Sequence, residues 1–122
     1  MPVAGGGRTL TARAEGVESD TVLVEGVSGN FFDITGADFA AGRPFSDLED
    51  RAGASVAVIG ANVARSLFAG QGAIGRPFLL GGERYIVVGQ LAPRRGTFFG
   101  ENRNDNVISV PLRTAERRFP EA

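Results

Sequence analysis

Residues 55–68, SVAVIGANVARSLF, place a buried strand directly before a helix. SVAVI is a compact β-branched run, typical of a strand buried on both faces, and Gly60 ends it. In the helix that follows, Asn62 is placed to cap the first turn, and Gly70 to supply the left-handed residue at the end. The apolar positions that recur at helical spacing are Val63, Leu67 and Phe68. They predict an amphipathic helix of about two turns.

Further strands are predicted on both sides of this unit. Residues 21–27 alternate apolar and polar side chains, as a half-buried strand does. Gly81 and Gly82 form a permissive hairpin turn. The other predicted strands are residues 77–80, 84–91 and 106–110. The sequence therefore predicts an α+β fold with a small mixed sheet of about five to six strands.

Several short helices accompany the two-turn helix. Residues 31–36 form a single apolar turn, and Ser46 with Glu49 has the spacing of a capping box. Residues 37–45 are expected to be extended because glycine and proline interrupt them. A last short helix is predicted over residues 114–119.

The chain has the length of one domain. Its 122 residues suffice for a single core. The glycine run at residues 5–7 indicates a flexible lead-in within residues 1–20. No apolar stretch reaches the length of a membrane span, and the N-terminus lacks the features of a secretory signal. These features do not fix the compartment.

The residue types that are missing exclude most enzyme classes. The chain has no Cys and no His, and all 13 basic residues are Arg. Thiol nucleophiles, Ser-His-Asp triads, imidazole metal sites and lysine-dependent phosphoryl transfer are therefore excluded. The formal charge of −1 gives no electrostatic reason to bind nucleic acid.

Three motifs that could hold a cofactor or a metal have simpler explanations. Residues 70–75, GQGAIG, match the dinucleotide fingerprint but follow a helix and precede a strand, the reverse of the required order. The acidic cluster at residues 47–50 departs from the spacing of a calcium loop. Polar turn chemistry explains Glu101 and Asp105. We therefore expect no cofactor, no metal site and no catalytic residue.

Residues 93–105 form a turn-rich segment that is longer than most connections between elements. Phe98 and Phe99 lie at its centre, flanked by glycines. An aromatic pair at a loop tip either folds back on the core or serves as an anchor for another molecule. The arginine pairs at residues 94–95 and 117–118 are expected to be solvated. Phe98 and Phe99 are therefore the candidate contact residues.

Five segments follow one another in a recognisable order. They are GVSGNFF at 26–32, AGRPF at 41–45, VAVIG at 56–60, LF and IGR within 67–76, and VPLRTA at 110–115. In this order they resemble the extracytoplasmic core domain of MacB-type, FtsX-like ABC transporter permeases. The resemblance covers residues 21–119.

In that family the domain lies between the first two transmembrane helices and combines a porter-like subdomain with an inserted small subdomain, called Sabre. The resemblance implies that residues 21–122 are mainly the Sabre-like part. Residues 1–20 would then be the remnant of a preceding segment. The chain is expected to be a piece of a longer plasma-membrane protein, on its periplasmic side.

The resemblance also implies a function. The domain would couple cytoplasmic ATP hydrolysis to substrate export or envelope work, through contacts with partners or substrate. Its partners would be an ATP-binding subunit or domain, a second copy of the permease, and a periplasmic adaptor in some members. The domain itself would not be an enzyme.

Two other functions are compatible with the residues. One is a free-standing module that binds a small ligand or a protein. The other is an enzyme that uses carboxylates, with Asp47 and Glu49 as its residues.

Overall fold

The computed structural model describes residues 4–14, 16–28, 30–69, 72–92 and 106–118, and within them seven strands and four helices form a mixed α+β fold. The strands are β1 (Ala4–Ala14), β2 (Val17–Val27), β3 (Phe39–Gly42), β4 (Val56–Ile59), β5 (Pro77–Leu80), β6 (Glu83–Leu91) and β7 (Val107–Pro111). The helices are α1 (Phe31–Thr35), α2 (Asp47–Ala52), α3 (Ala61–Phe68) and α4 (Leu112–Arg118). The α+β class agrees with the prediction, although the described sheet has more strands than expected.

Six of these strands close into a ring. The order along the sheet is β3-β6-β4-β7-β2-β1-β5, and β5 also pairs with β6. Strands β2 and β7 are parallel, as are β4 and β6, and the remaining pairs are antiparallel. Closure ties the long N-terminal hairpin to the β5–β6 hairpin, so strands distant in sequence hold one another in place.

The main core fills the ring. Each of the six strands contributes two alternate residues, which point to the same face because side chains alternate along a strand. These residues are Ala12, Ala14, Val22, Val24, Ala57, Ile59, Phe78, Leu80, Tyr85, Val87, Ile108 and Val110. Helix α3 completes the cluster with Val63, Ala64, Leu67 and Phe68. The predicted apolar face of this helix is therefore confirmed.

A second, smaller core lies outside the closed ring of strands and is rich in phenylalanine. Val27 and Val58 pack there against Phe32 and Phe45. The ring of Phe32 meets those of Phe39 and Phe45 edge to face, with centroids 5.4 and 5.7 Å apart. Helix α1, strand β3 and the segment before α2 thus cover one outer part of the sheet.

Strand β1 corrects the prediction of a flexible lead-in over residues 1–20. It pairs with β2 from Ala4 opposite Val27 to Ala14 opposite Val17. Ala12 and Ala14 are almost fully buried. The buried residues of this strand are small alanines, and glycines precede them in the sequence. The alternation of apolar and polar residues that marks a strand is therefore weak in β1.

The ends of α3 also differ from the prediction. Gly60 occupies the N-cap position and the helix begins at Ala61. The side chain of Asn62 accepts a hydrogen bond from Arg65 instead of capping the backbone. Ala69 takes the left-handed conformation at the C-terminus of the helix, with φ of 52°. Residue Gly70 lies outside the described residues.

The remaining predicted elements are present within a few residues of their expected bounds. Leu80 pairs with Glu83 across the hairpin turn at Gly81 and Gly82. Helix α4 begins two residues before the predicted start at residue 114. Among the described residues, no helix has both the length and the apolar character needed to cross a bilayer.

Candidate interaction surface

The AGRPF segment fixes strand β3 to its neighbours. Gly42 has φ of 77°, and a side chain there would overlap the carbonyl of Val88. The amide of Arg43 donates to that carbonyl at 2.9 Å. The Arg43 guanidinium donates to both carboxylate oxygens of Glu49, at 2.8 and 2.9 Å. Because Phe45 is buried in the second core, this family-like motif has a structural role.

The acidic cluster at residues 47–50 serves to begin helix α2. Ser46 Oγ accepts from the Glu49 amide, and the Glu49 carboxylate accepts from the Ser46 amide. The hydrogen bonds from Arg43 and Ser46 lower the pKa of Glu49 to about 2. In the described part of the chain, no group of three acidic residues is placed to hold a metal ion. The Glu49 carboxylate therefore caps helix α2 and pairs with Arg43. These contacts give it a structural role, and they do not support a catalytic pair with Asp47.

The VPLRTA segment joins the end of β7 to helix α4. Gly26 of β2 lies directly beneath this helix, and a side chain at Gly26 would overlap the methyl group of Ala115. Thr114 is fully buried and donates through Oγ1 to the carbonyl of Ala54 at 2.7 Å. The residues of this motif therefore hold α4 against the sheet.

The GQGAIG segment lies between α3 and β5. Gly70 and Gln71 fall outside the described residues. Gly75 has φ of 86°, and its amide donates to the carbonyl of Val87 at 2.8 Å. The described part of the segment is a turn that leads into strand β5 and not into a helix. The arrangement in which a helix N-terminus faces a phosphate is therefore not formed there.

Of the predicted arginine pairs, the second lies at the end of α4. Arg118 donates to Ser55 Oγ at 2.7 Å and lies 5.3 Å above the ring of Tyr85. Its guanidinium is also 3.6 Å from the Glu83 carboxylate. Burial raises the pKa of Tyr85, an effect that Arg118 opposes. Arg118 thus holds α4 against the starts of β4 and β6. It is not the solvated side chain that the sequence predicted.

Phe98 and Phe99 lie outside the described residues, as do Glu101, Asp105 and the arginine pair at 94–95. The two flanks of residues 93–105 are described. The amide of Ala92 donates to the Asp38 carbonyl at 2.9 Å, and the amide of Gly60 donates to the Val107 carbonyl at 2.8 Å. Since β4 lies between β6 and β7, the two flanks are about 10 Å apart. About three extended residues would bridge that gap.

A surface that the sequence did not suggest crosses strands β1, β5 and β6. Arg13 is paired with Leu79, and Leu79 with Arg84. Paired residues point to the same face, so an exposed leucine is flanked by two arginines. They border a cavity of about 260 Å³, here called the two-arginine groove. Its lining residues are Arg13, Ala14, Gly16, Pro77, Phe78, Leu79 and Arg84.

Part of this groove was within reach of sequence reasoning. The predicted hairpin at Gly81 and Gly82 already places Leu79 opposite Arg84. Arg13 belongs to β1, which the glycine run concealed, and only the closing pair between β1 and β5 brings it to the groove. No local pattern encodes that contact.

Comparison with known proteins identifies the family. The sequence pattern of the MacB-like periplasmic core domain matches residues 1–122. The macrolide export ATP-binding/permease protein MacB of Burkholderia cenocepacia (strain HI2424) is 38% identical over 113 residues, which are 92% of this chain. The chain spans 16% of the length of that relative.

Solved structures share the fold. The extracellular domain of the noncanonic ABC-type transporter YknZ from Gram-positive bacteria superposes with a TM-score of 0.79 at 23% identity, over 97% of this chain and 57% of that one. The periplasmic region of MacB from Actinobacillus actinomycetemcomitans gives a TM-score of 0.79 at 13% identity, over 93% of this chain and 49% of that one. The chain therefore belongs to the MacB-like periplasmic core domain family and is an extracytoplasmic domain of an ABC transporter permease.

Proposed function

We propose that this domain passes movement driven by ATP hydrolysis elsewhere in the transporter to substrate export or envelope work. It would do so through contacts with a partner or substrate, made in part by Phe98 and Phe99. The ATP-binding subunit or domain, a second copy of the permease and, in some transporters, a periplasmic adaptor are the proposed partners. Family membership supports the first of these partners, since the relative named above is itself an ATP-binding/permease protein.

The observation that carries the proposal is the way the flanks of residues 93–105 are held. Both flanks are hydrogen-bonded to a neighbouring segment, and β7, which follows, is buried along its whole length. A force applied at this connection would therefore reach strands that are bonded into the closed ring. A connection that is longer than the distance between its two ends, and whose ends are held by rigid elements, is typical of functional loops.

The chemistry of the chain supports a role without catalysis. It contains no Cys, His or Lys, so a nucleophile would have to be activated by a carboxylate or an arginine. Glu49, one of the two carboxylates considered for catalysis, is held by Arg43 and Ser46. Binding and mechanical coupling need neither a base nor a nucleophile.

The proposal is tested by replacing the aromatic pair in the whole transporter. F98S/F99S should reduce export severalfold while ATP hydrolysis continues, because the contact is lost and the ATP-binding part is intact. The matched control is L48S, since Leu48 is an exposed leucine of α2, 73% accessible, and its replacement should leave export unchanged. Unchanged export in F98S/F99S would refute the contact role of this pair.

The melting temperature of the 122-residue chain separates the two roles of the pair. If Phe98 and Phe99 contact a partner, F98S/F99S should melt close to the unmodified chain. If they fill the core, the variant should lose several kcal/mol of stability, about 3–5 kcal/mol for each buried Phe. Circular dichroism during heating measures the difference.

A further inference from the structure

We infer that the two-arginine groove binds an extended, acidic segment of a partner protein. One large apolar side chain of that segment enters the cavity, and carboxylates on either side of it pair with Arg13 and Arg84. The inference rests on the proposed function in one respect, because a coupling domain needs a partner. It involves residues other than Phe98 and Phe99.

The charges of the groove select an anion. Arg13 lies 3.9 Å from Glu18, and both side chains are more than half exposed, so this pair is weak. Among the described residues, no carboxylate lies within ion-pair distance of Arg84. Guanidinium groups bind carboxylates in a bidentate, directional way. Both arginines are therefore available to an acidic partner.

The cavity between the arginines is apolar and small. Leu79 is 43% accessible, and Pro77 and Ala14 extend the apolar lining. Its volume of about 260 Å³ is below the usual range of about 300–1,000 Å³ for small-molecule sites. A single apolar side chain, surrounded by polar contacts, is the arrangement that dominates protein interfaces. The groove therefore fits an anchor residue better than a whole small molecule.

The groove is also held rigidly. Phe78, one of the lining residues, is buried in the main core and stacks on Tyr85 with ring centroids 5.9 Å apart. Strand β5 is paired on both sides, with β1 and with β6. A site that is already ordered costs less to occupy. Partner binding would therefore require little rearrangement.

The spacing of the arginines defines the segment further. Arg13 and Arg84 lie on the strands that flank β5, which places their backbones about 10 Å apart. Because every second side chain of an extended chain points to the same face, the anchor and both carboxylates must occupy alternate positions. The expected partner sequence therefore has two acidic residues about four positions apart, about 13 Å in an extended chain, with the apolar anchor midway between them.

A labelled peptide tests this inference on the 122-residue chain. The probe is a fluorescent seven-residue peptide with Glu at its second and sixth positions and Phe at its fourth, and its anisotropy is followed as the chain is added. We expect saturable binding that weakens as salt is raised. R84E should weaken binding about tenfold or more, and L79S should weaken it severalfold.

Matched controls assign the effect to the groove. R51E changes the same charge on α2, away from the groove, and should bind the peptide as the unmodified chain does. A peptide with Lys in place of both Glu should bind R13E/R84E better than the unmodified chain. F98S/F99S should leave peptide binding unchanged, so that failure here and failure of the loop in the export assay are distinguishable.

Several outcomes would overturn the inference. They are non-saturable binding, equal binding of the Glu and Lys peptides, and an R51E effect as large as that of R84E. Binding to vesicles of anionic phospholipid that outcompetes the peptide would assign the groove to a membrane surface instead. Self-association in sedimentation that R84E abolishes would assign it to a second copy of the chain.

Discussion

Gly26 lies where helix α4 crosses strand β2, and its lack of a side chain sets the distance between them. A methyl group there would overlap the methyl of Ala115, and the Leu112 Cα would be only 3.4 Å away. G26A should therefore destabilise the chain by about 1–3 kcal/mol, the usual cost of overpacking. Urea denaturation followed by circular dichroism measures this loss.

A second glycine serves as the control at this scale. A side chain added at Gly72 would meet no atom within 4 Å, so G72A should change stability by no more than about 0.5 kcal/mol. Adding A115G to G26A should recover part of the loss, because it removes the overlapping methyl. A G26A variant as stable as the unmodified chain would contradict the close packing of α4 on β2.

At the scale of elements, helix α2 depends on its polar contacts more than on burial, since none of its residues is buried. E49Q should destabilise the chain by about 0.5–1 kcal/mol at neutral pH, because the ion pair with Arg43 is lost. The folded-state pKa of Glu49 is about 2, below its unfolded value of about 4.3. The charge of Glu49 therefore stabilises the fold above about pH 4.3 and loses this effect as pH falls toward 2.

The stability difference between E49Q and the unmodified chain should accordingly shrink as the pH is lowered from about 5 to about 2. Urea denaturation at several pH values measures it. If Glu49 acts through Arg43, R43M and E49Q should be less than additive when combined. A difference that stays constant over this pH range would show that the ion pair does not stabilise α2.

The elements that could be predicted from sequence are those with a strong local pattern. The β-branched run of β4, the helical spacing in α3 and the Ser46–Glu49 capping box each depend on residues close in sequence. Strand β1 has only small alanines on its buried face, and ring closure depends on the distant pair of Ala12 with Leu80. For the same reason half of the two-arginine groove was predictable, and its Arg13 side was not.

At the scale of the whole molecule, three contacts join helices α2 and α4 to strands of the sheet. Arg43 with Glu49 joins β3 to α2, Gly26 brings α4 onto β2, and Arg118 fastens the end of α4 to β4 and β6. These links hold α2, α4 and the outer strand β3 in place. Helices α3 and α1 instead pack directly into the main core and the second core. Such a body is suited to transmitting movement between the surfaces that it presents.

The ratio of substrate exported to ATP hydrolysed in the reconstituted transporter tests this account most directly. It would be measured for the unmodified transporter and for one in which residues 1–122 are replaced by a flexible Gly–Ser linker. We expect ATP hydrolysis to continue while export falls to background, because the domain proposed to couple them is absent. Export at the unmodified ratio without the domain would contradict the account.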